Sequence, residues 1–377
     1  MLEFDPATLK VVGREKILIN GGTDISKKPV WIEGPHIFKK DGWYYLICAE
    51  GGTANEHSEV VFRSKSMDEP FTSYQGNPIL TQRHLDPNRR NPITSTGHAE
   101  FVTTPDGKWY AVFLGCRPYK EDYYNIGRET FMAPVTWKDG WPVILEGKEE
   151  VQYSYPVPMP AITKRVNNPY NGYTDFTDEF NRTKLNDRFM FLRTVKEKWY
   201  SLTEKKGFLT MKLRPETGSG NKNPSFIAFR QPNNYCGVTT LLYFEPHNEN
   251  EKAGLTIFQN ETHFYYLCKS IANNKPVVQL YQSTPGNDMK LLATDTVLAN
   301  KEIYLRIQAK GDRYSFLYTN DTYRWHILKE DIDGTFLSTK VAGGFVGSVF
   351  ALYATSLSKQ TGNKAYFNWF KYWASPN

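Results

Sequence analysis

Short runs of alternating apolar and polar residues, separated by turn signals, cover most of this 377-residue chain. From Leu2 to about Ile144, three Asp-Gly pairs lie close to a Trp or Tyr: Asp41-Gly42, Asp106-Gly107 and Asp139-Gly140. Such pairs between apolar runs are the strongest short-range signal for a β-hairpin. No helical period is sustained in this part, so the pattern predicts strands joined by tight turns.

Two of these turns stand 65 residues apart and belong to segments that look alike. Glu33 precedes the first hairpin, and at that offset it falls on His98. Units of equal length with an ionisable residue at the same place are typical of repeats whose edges face a common centre. The length suits a four-stranded propeller blade. Because propellers close with ~4 to 8 blades, we expect further blades before Met1 or in another chain.

A second style of strand pattern follows a connection rich in proline and asparagine. Alternating or apolar segments recur there between turn residues, which is typical of an antiparallel sandwich of the jelly-roll kind. They lie at 226–230, 237–244, 253–258, 263–268, 277–281, 303–308, 314–318 and 365–373. We therefore predict an all-β chain: the C-terminal part of a five-bladed β-propeller at 1–150, a linker at 151–173, and a jelly-roll-like β-sandwich at 174–377.

Composition narrows the function classes. The chain has 40% hydrophobic, 15% aromatic and 23% charged residues, which describes a globular protein rich in strands and suits carbohydrate, whose apolar faces stack on flat rings. The net charge of +6 is dispersed, so we expect neither nucleic acid nor membrane as a partner. The start of the chain lacks a signal-peptide pattern. A cytoplasmic or periplasmic location and self-association stay open.

The sequence lacks the motifs of several common enzyme classes. It carries no P-loop, no dinucleotide-binding fingerprint, no zinc-protease motif and no nucleophile elbow of the α/β-hydrolases, so no redox or organic cofactor is expected. The cysteines at 48, 116, 236 and 268 form no CxxC pair, and we expect free thiols.

Glu33 is the leading candidate for chemistry. Gly34-Pro35 forbids a helix directly after it and a strand begins within three residues, so its carboxyl group lies at a strand entrance. A general acid could act there, although most glutamates are solvated surface groups. His98 could be a metal ligand, a substrate donor or a structural histidine, and metal binding ranks last because no second His stands at ligand spacing.

Two further positions are candidates for ligand contact. Arg128 could offer its guanidinium fork to sugar hydroxyls or a carboxylate, or it could pair with neighbouring Glu129. The segment Glu50-Gly51-Gly52-Thr53 is either a tight turn or a loop that touches ligand. We favour the turn, with Thr53 near the site.

In order and spacing these motifs resemble glycoside hydrolase family 43, in the branch of β-xylosidases and α-L-arabinofuranosidases that carry a C-terminal sandwich. The resemblance covers nearly the whole chain. It rests on residues 31–39, 44–46, 49–53, 77–80, 97–99 and 127–130, and on 178–180, 199–202, 207–209, 343–347 and 367–370.

The resemblance implies a propeller with an axial pocket and inverting hydrolysis by an acid and a base. It makes Glu33 the general acid, Arg128 a substrate-binding residue, His98 the axial histidine, and Phe345 the aromatic residue that the sandwich contributes. It also implies that the base and a second aspartate belong to blades before this chain, with Asp5 a poor substitute. We therefore expect the chain alone to have little activity.

The predicted function is an inverting exo-glycosidase that releases xylose or arabinofuranose from the non-reducing ends of xylan-type oligosaccharides. The alternative is a non-catalytic carbohydrate-binding fragment. Tyr124-Asn125-Ile126 stands where the resembled xylosidases usually carry a cysteine and a proline, which leaves the choice between xylose and arabinose open. No metal is expected to be required for activity. A structural calcium ion could bind in the sandwich near Asp178.

Overall fold

The computed structural model describes residues 1–24, 26, 30–146, 150–156, 175–286, 288–321 and 324–374. These residues divide into two compact units. The blade unit comprises residues 1–118 and 128–156, and the sandwich unit comprises residues 119–127 and 175–374. Residues 157–173 of the predicted linker lie outside the described residues.

The blade unit contains two four-stranded antiparallel sheets whose strands follow one another in sequence order. This meander is the arrangement of a propeller blade, and it confirms the predicted all-β repeat. The first sheet has β3 (Ile32–Lys40), β4 (Trp43–Glu50), β5 (Ser58–Ser64) and β6 (Thr72–Ser73). The second has β7 (Thr94–Thr103), β8 (Trp109–Cys116), β9 (Glu129–Lys138) and β10 (Trp141–Ile144), and β1 (Glu3–Asp5) pairs with β2 (Lys10–Val12). The expectation of further blades stays a prediction.

The Asp-Gly pairs form hairpin turns as predicted. Asp41 and Gly42 join β3 to β4 with φ of 50° and 76°, and Asp139 and Gly140 join β9 to β10 with φ of 52° and 74°. Two successive residues at positive φ define the turn whose twist matches that of the flanking strands. The pairs are therefore sufficient, locally, to place both turns.

Strand β4 shows how the blade unit buries its apolar residues. Every side chain from Tyr45 to Ala49 is buried, at 3% exposure or less. Alternate residues point to opposite faces of a strand, so Tyr45 and Ile47 pack toward the second sheet, while Leu46 and Cys48 pack into a separate cluster with Val60 and Phe62. A central strand covered on both faces reads as a continuous apolar run.

The sandwich unit consists of an eight-stranded and a seven-stranded antiparallel sheet with a common core. In order, the first has β13 (Tyr200–Ser201), β14 (Leu209–Lys212), β25 (Lys364–Ala374), β16 (Tyr235–Tyr243), β21 (Glu302–Lys310), β22 (Arg313–Thr319) and β23 (His326–Asp333), and β11 (Phe176–Asp178) also pairs with β25. The second has β12 (Phe189–Phe191), β15 (Ser225–Arg230), β24 (Val349–Thr355), β17 (Lys252–Asn260), β18 (His263–Ala272), β19 (Lys275–Thr284) and β20 (Asp288–Thr296). A 3-10 turn (Gly334–Leu337) and the short helix α1 (Thr339–Ala342) precede β24.

All eight predicted segments of the sandwich are strands. The strands β11 to β14, β20, β23 and β24 were not among the predicted segments. Two of them, β20 and β23, are edge strands with mostly exposed side chains and lack an apolar alternation, whereas β24 is a central strand with a buried apolar run. The four cysteines are free and buried, as expected. Among the described residues, no helix has the length and apolar character that crossing a membrane would need.

Candidate active site

Glu33 lies at a β-bulge near the start of β3. It pairs with Ala49 of β4, whereas the next registered pair is His36 with Ile47, so two residues of β3 oppose one of β4. The sequence explains this bulge, because Gly34 has a φ of 58° and Pro35 has no N–H to give to the ladder. Bulges re-aim side chains and are common beside active sites.

Glu33 is half-buried and is one of the residues that border a mostly apolar cavity of about 430 Å³. The other walls include Leu18, Ile32 and Cys48. Leu46 and Cys48 of this lining alternate with Ala49, the partner of Glu33, so the cavity opens mainly on the sheet face opposite to the one that Glu33 shares with Glu59.

His98 lies at a matching bulge in the second sheet. Gly97 pairs with Leu114 and Glu100 with Val112, so two residues of β7 again oppose one of β8. The matching registers correct the sequence alignment by one residue, since Glu33 corresponds to Gly97 and His98 to Gly34. The offset of 65 residues that aligns the two Asp-Gly turns does not align the bulges, because the β7–β8 turn is longer than the β3–β4 turn.

The two bulges pack against each other. A Cβ atom on Gly34 would stand 2.3 Å from Nε2 of His98, so only glycine leaves room for the imidazole ring at this place. His98 itself has a φ of 56°, a conformation that few non-glycine residues adopt. The contact brings the ring of His98 beside the residue that follows Glu33. A close contact between the imidazole of His36 and the carboxylate of Glu100 also joins β3 to β7.

A buried histidine that sequence reasoning missed lies next to this cluster. His57 is 1% exposed, and its Nδ1 lies 2.9 Å from the carbonyl oxygen of Ser95. Because a carbonyl can only accept, Nδ1 carries the proton in the neutral ring. Nε2 finds no hydrogen-bond partner among the described residues.

The electrostatics around His57 link the predicted residues to one another. Burial lowers the pKa of His57 most strongly, and the Ser95 carbonyl opposes that effect. Charges on His98 and Arg128 lower the same pKa further, and the charge on Glu33 raises it. Such effects act over short distances in a protein interior, so the structure brings Glu33, His98 and Arg128 into one neighbourhood.

Glu59 is a second buried ionisable residue that the sequence analysis missed. It is 0% exposed on β5, and Ala49 pairs with Glu33 on one side and with Glu59 on the other. Residues opposite each other across strands share a face of the sheet, so both glutamates lie on the same face. The available signal was a charged residue inside an apolar strand, Ser58 to Phe62.

The carboxyl group of Glu59 supports the bulge that carries His98. Oε2 of Glu59 accepts a hydrogen bond from the backbone N–H of Ala99 at 2.8 Å. Burial raises the pKa of Glu59 to about 8, with a smaller contribution from Glu100, while the amides of Ala99 and His98 act in the opposite direction. The side chain is therefore a buried acid that is largely protonated at neutral pH.

Arg128 stands directly before β9 and is half-buried. The carboxylate of its neighbour Glu129 accepts from Nε and Nη2 of Arg117, both at 2.7 Å. The ion pair that the structure shows for Glu129 is therefore this bidentate one with Arg117.

The β8–β9 connection, residues 119–127, belongs to the sandwich unit. Asn125 is buried there, and its Nδ2 donates to the hydroxyl of Tyr314 at 3.2 Å and to the carbonyl of Gly334 at 2.9 Å. The backbone carbonyl of Asn125 accepts from the N–H of Ser348 at 2.7 Å. Asn125, which belongs to the segment Tyr124-Asn125-Ile126 singled out in the sequence, therefore fixes this connection to the rest of the sandwich unit.

Thr53 and Phe345 stand in well-defined backbone settings, but their ligand roles stay predictions. Thr53 is half-buried and lies two residues after Gly51, where a Cβ atom would stand 2.0 Å from the carbonyl oxygen of Glu56, as the tight-turn interpretation requires. Phe345 belongs to the sandwich unit, is 58% exposed, and follows two glycines with positive φ.

Asp5 and Asp178 have local structural roles. The carboxylate of Asp5 accepts from the N–H of Ala7 at 2.9 Å and the hydroxyl of Thr8 at 2.6 Å, and the hydroxyl contact contributes most to its lowered pKa. Asp178 accepts from the N–H of Phe180 at 2.8 Å. Within the part of the chain that the structure describes, no three His, Cys, Asp or Glu side chains gather as metal ligands. The calcium ion near Asp178 stays a prediction.

Two blade-type sheets together with a two-sheet β-sandwich place this chain in the class of proteins that combine a β-propeller with a β-sandwich. Residues 1–142 match the profile of glycosyl hydrolases family 43. Residues 177–373 match that of the beta xylosidase C-terminal Concanavalin A-like domain. The chain belongs to glycoside hydrolase family 43 and is a glycoside hydrolase.

Individual relatives agree with this family. A "Xylosidase/arabinosidase" of Butyrivibrio fibrisolvens is 34% identical over 370 residues, which cover 98% of this chain and 69% of the relative. A "Non-reducing end alpha-L-arabinofuranosidase" of Bacteroides ovatus is 34% identical over 90% of this chain and 62% of its own length. The crystal structure of a xylan beta-1,4-xylosidase from Bacillus halodurans superimposes with a TM-score of 0.86 at 29% identity, over 98% of this chain and 69% of that one.

Proposed function

We propose that this chain carries the general acid of an inverting exo-glycosidase that releases xylose or arabinofuranose from the non-reducing ends of xylan-type oligosaccharides. The names of the relatives support the substrate class, since they include xylosidases, an arabinofuranosidase that acts at non-reducing ends, and a "Xylan 1,3-beta-xylosidase" of a Vibrio species. The observation that carries the proposal is the carboxyl group of Glu33 at a bulge that packs against His98.

In this proposal Glu33 is the general acid. Its carboxyl group would donate a proton to the glycosidic oxygen as the bond to the sugar breaks, which keeps negative charge off the leaving group. Its half-buried position, beside the bulge that carries His98, suits this role. His98 would orient the sugar, and Arg128 would hold its hydroxyl groups with two parallel N–H donors.

An inverting enzyme also needs a base about 6.5 to 9.5 Å from the acid, so that a water molecule fits between them. We assign no described residue to this role. The carboxylate of Asp5 is engaged by its own turn. Glu59 is fully buried and largely protonated at neutral pH, so it cannot readily accept a proton from water.

The leaving group tests the role of Glu33. A poor leaving group such as the sugar alcohol of xylobiose needs a proton from the acid, whereas 4-nitrophenolate departs readily without one. We expect Glu33→Gln to lower kcat/KM for xylobiose by about 10² to 10⁴ and to affect 4-nitrophenyl β-D-xyloside far less. The matched α-L-arabinofuranoside substrates decide between the two sugars.

The control variant is Glu56→Gln, which removes an exposed carboxylate in the same unit. Equal losses on both leaving groups would contradict the role of Glu33 as general acid. A folded protein that binds xylo-oligosaccharides but hydrolyses none of these substrates would instead support the alternative, a carbohydrate-binding fragment.

A further inference from the structure

We propose that the sandwich unit carries a second carbohydrate-binding site on the outer face of its eight-stranded sheet. The site is a cavity of about 650 Å³, here called the aromatic cleft. Its defining residues come from β21, β25 and the segment before β23: Tyr304, Arg306, Trp325, Trp369, Lys371 and Trp373. The ligand is a linear chain of xylose units, and this choice of sugar rests on the proposed function.

The cleft lies on the side of the sheet that faces away from the core. On β25, Phe370 and Tyr372 are fully buried, whereas Trp369 and Trp373 alternate with them and are only half-buried. Strand β21 has the same pattern, with Leu305 buried between two cleft residues. The aromatic rings are therefore not needed to fill the core, and large apolar groups gathered on an outer face often mark a binding site.

The cleft is shaped before any ligand arrives. Trp373 pairs across strands with Gly237, where a Cβ atom would stand 2.3 Å from the indole ring, so glycine allows the ring to lie on the neighbouring strand. The guanidinium group of Arg306 lies 3.7 Å from the ring centroid of Trp325 and 5.2 Å from that of Trp373. Its Nε also donates to the hydroxyl of Thr239 at 3.2 Å. A preorganised site loses little side-chain entropy on binding.

The lining has the chemistry that recognises a sugar. Indole and phenol rings can stack on the C–H faces of a pyranose, and Arg306 and Lys371 can donate hydrogen bonds to its hydroxyl groups. Gln308 can donate and accept, and the carboxylate of Asp175 can accept. Aromatic walls with a few convergent polar groups are typical of small-molecule sites.

The dimensions favour a chain over a single sugar. Trp369 and Trp373 are four residues apart on one strand, which separates their Cα atoms by roughly 13 Å. That distance exceeds the length of one pyranose ring. A polysaccharide held in the cleft stays attached to the protein, which raises the effective concentration of its ends for hydrolysis.

Native gel electrophoresis in gels with and without soluble linear xylan tests the cleft. We expect xylan to retard the wild-type protein, and Trp369→Ala and Trp325→Ala each to weaken the apparent affinity about tenfold, as loss of a central aromatic contact does. Lys371→Ala, which truncates an exposed side chain, provides a variant with little risk to the fold and an expected loss of a few fold.

The matched control is Tyr366→Ala. Tyr366 lies on the same strand and is half-buried, but its ring contacts Lys205 and does not line the cleft. This variant should bind xylan like the wild type. Melting temperatures show that each variant is folded, and hydrolysis of 4-nitrophenyl xyloside should be unchanged in all of them.

The outcomes separate the cleft from the proposed function. Hydrolysis of aryl glycosides without retardation by xylan, or retardation that none of the cleft variants reduces, would overturn the cleft and leave the glycosidase proposal intact. Retardation that requires Trp369 in a protein that hydrolyses nothing would support the cleft and overturn the glycosidase.

Discussion

The substitution Glu59→Gln should remove a large part of the pH dependence of stability in the blade unit. Glu59 is fully buried, and its pKa rises from an ordinary 4.5 to about 8. At ~1.4 kcal/mol for each tenfold change in proton affinity, this difference corresponds to about 5 kcal/mol. The desolvation of the carboxylate is the main cause, so a neutral amide of nearly the same shape escapes it.

The sign follows from the direction of the pKa change. Between pH 4.5 and about 8, the folded protein holds a proton on Glu59 that the unfolded chain has lost. The free energy of unfolding therefore falls as the pH rises through this window, and the contribution of Glu59 is complete only below pH 4.5. In the Gln variant the side chain has no proton to lose, so this slope should disappear. At pH 8 the variant should be more stable than the wild type.

Hydrogen exchange measured by mass spectrometry can follow the blade unit separately from the sandwich unit. Peptides that cover β5 and β7, corrected for the intrinsic pH dependence of exchange, report the local free energy of opening. The acceptor for the Ala99 amide is preserved, because the Gln side chain has a carbonyl oxygen at the same place. Glu56→Gln controls for the loss of one carboxylate. Parallel pH profiles for wild type and Glu59→Gln would refute the assignment of Glu59 as a buried, protonated acid.

Two further expectations concern the residues around the bulges. Gly34→Ala should destabilise the blade unit by about 1 to 3 kcal/mol and lower kcat/KM, because the new Cβ displaces His98. Gly42→Ala is the control, since Gly42 also has a positive φ but has open space around it. The difference between the two variants in melting temperature and in kcat/KM therefore measures the effect of the steric clash with His98. The pKa of His57 is lowered from an ordinary 6.5, so at pH 6.5 the ring should be mostly neutral with its proton on Nδ1, and a nitrogen-15 spectrum that shows mainly imidazolium at that pH would contradict its burial.

The parts of the fold that the sequence predicts are those that local chemistry decides. Asp41-Gly42 specifies its hairpin because two adjacent residues tolerate positive φ, whatever the rest of the chain does. The alternation in β16 or β21 predicts strands because a half-buried sheet repeats every second residue. Gly34-Pro35 places the carboxyl group of Glu33 at an irregular strand entrance, since neither residue supports a regular ladder there.

Other features depend on residues that are distant in the sequence. Glu59 has its raised pKa because the folded blade unit buries it, and the amide of Ala99, 40 residues later, donates to its carboxyl group and opposes part of that rise. The aromatic cleft unites side chains from β21 and β25, which are separated by about 60 residues and are brought together by β16 between them. No local pattern marks either set, since each member alone reads as an ordinary strand residue.

The sequence by itself determined the all-β class, the blade-type hairpins, the sandwich and the candidacy of Glu33, His98 and Arg128, because turn chemistry and strand period act over a few residues. Only the tertiary structure decided that His98 matches Gly34 in the repeat, that the two bulges touch, and that His57 and Glu59 lie buried beside them. Burial and contact between strands set those properties, and both arise only when the sheets pack.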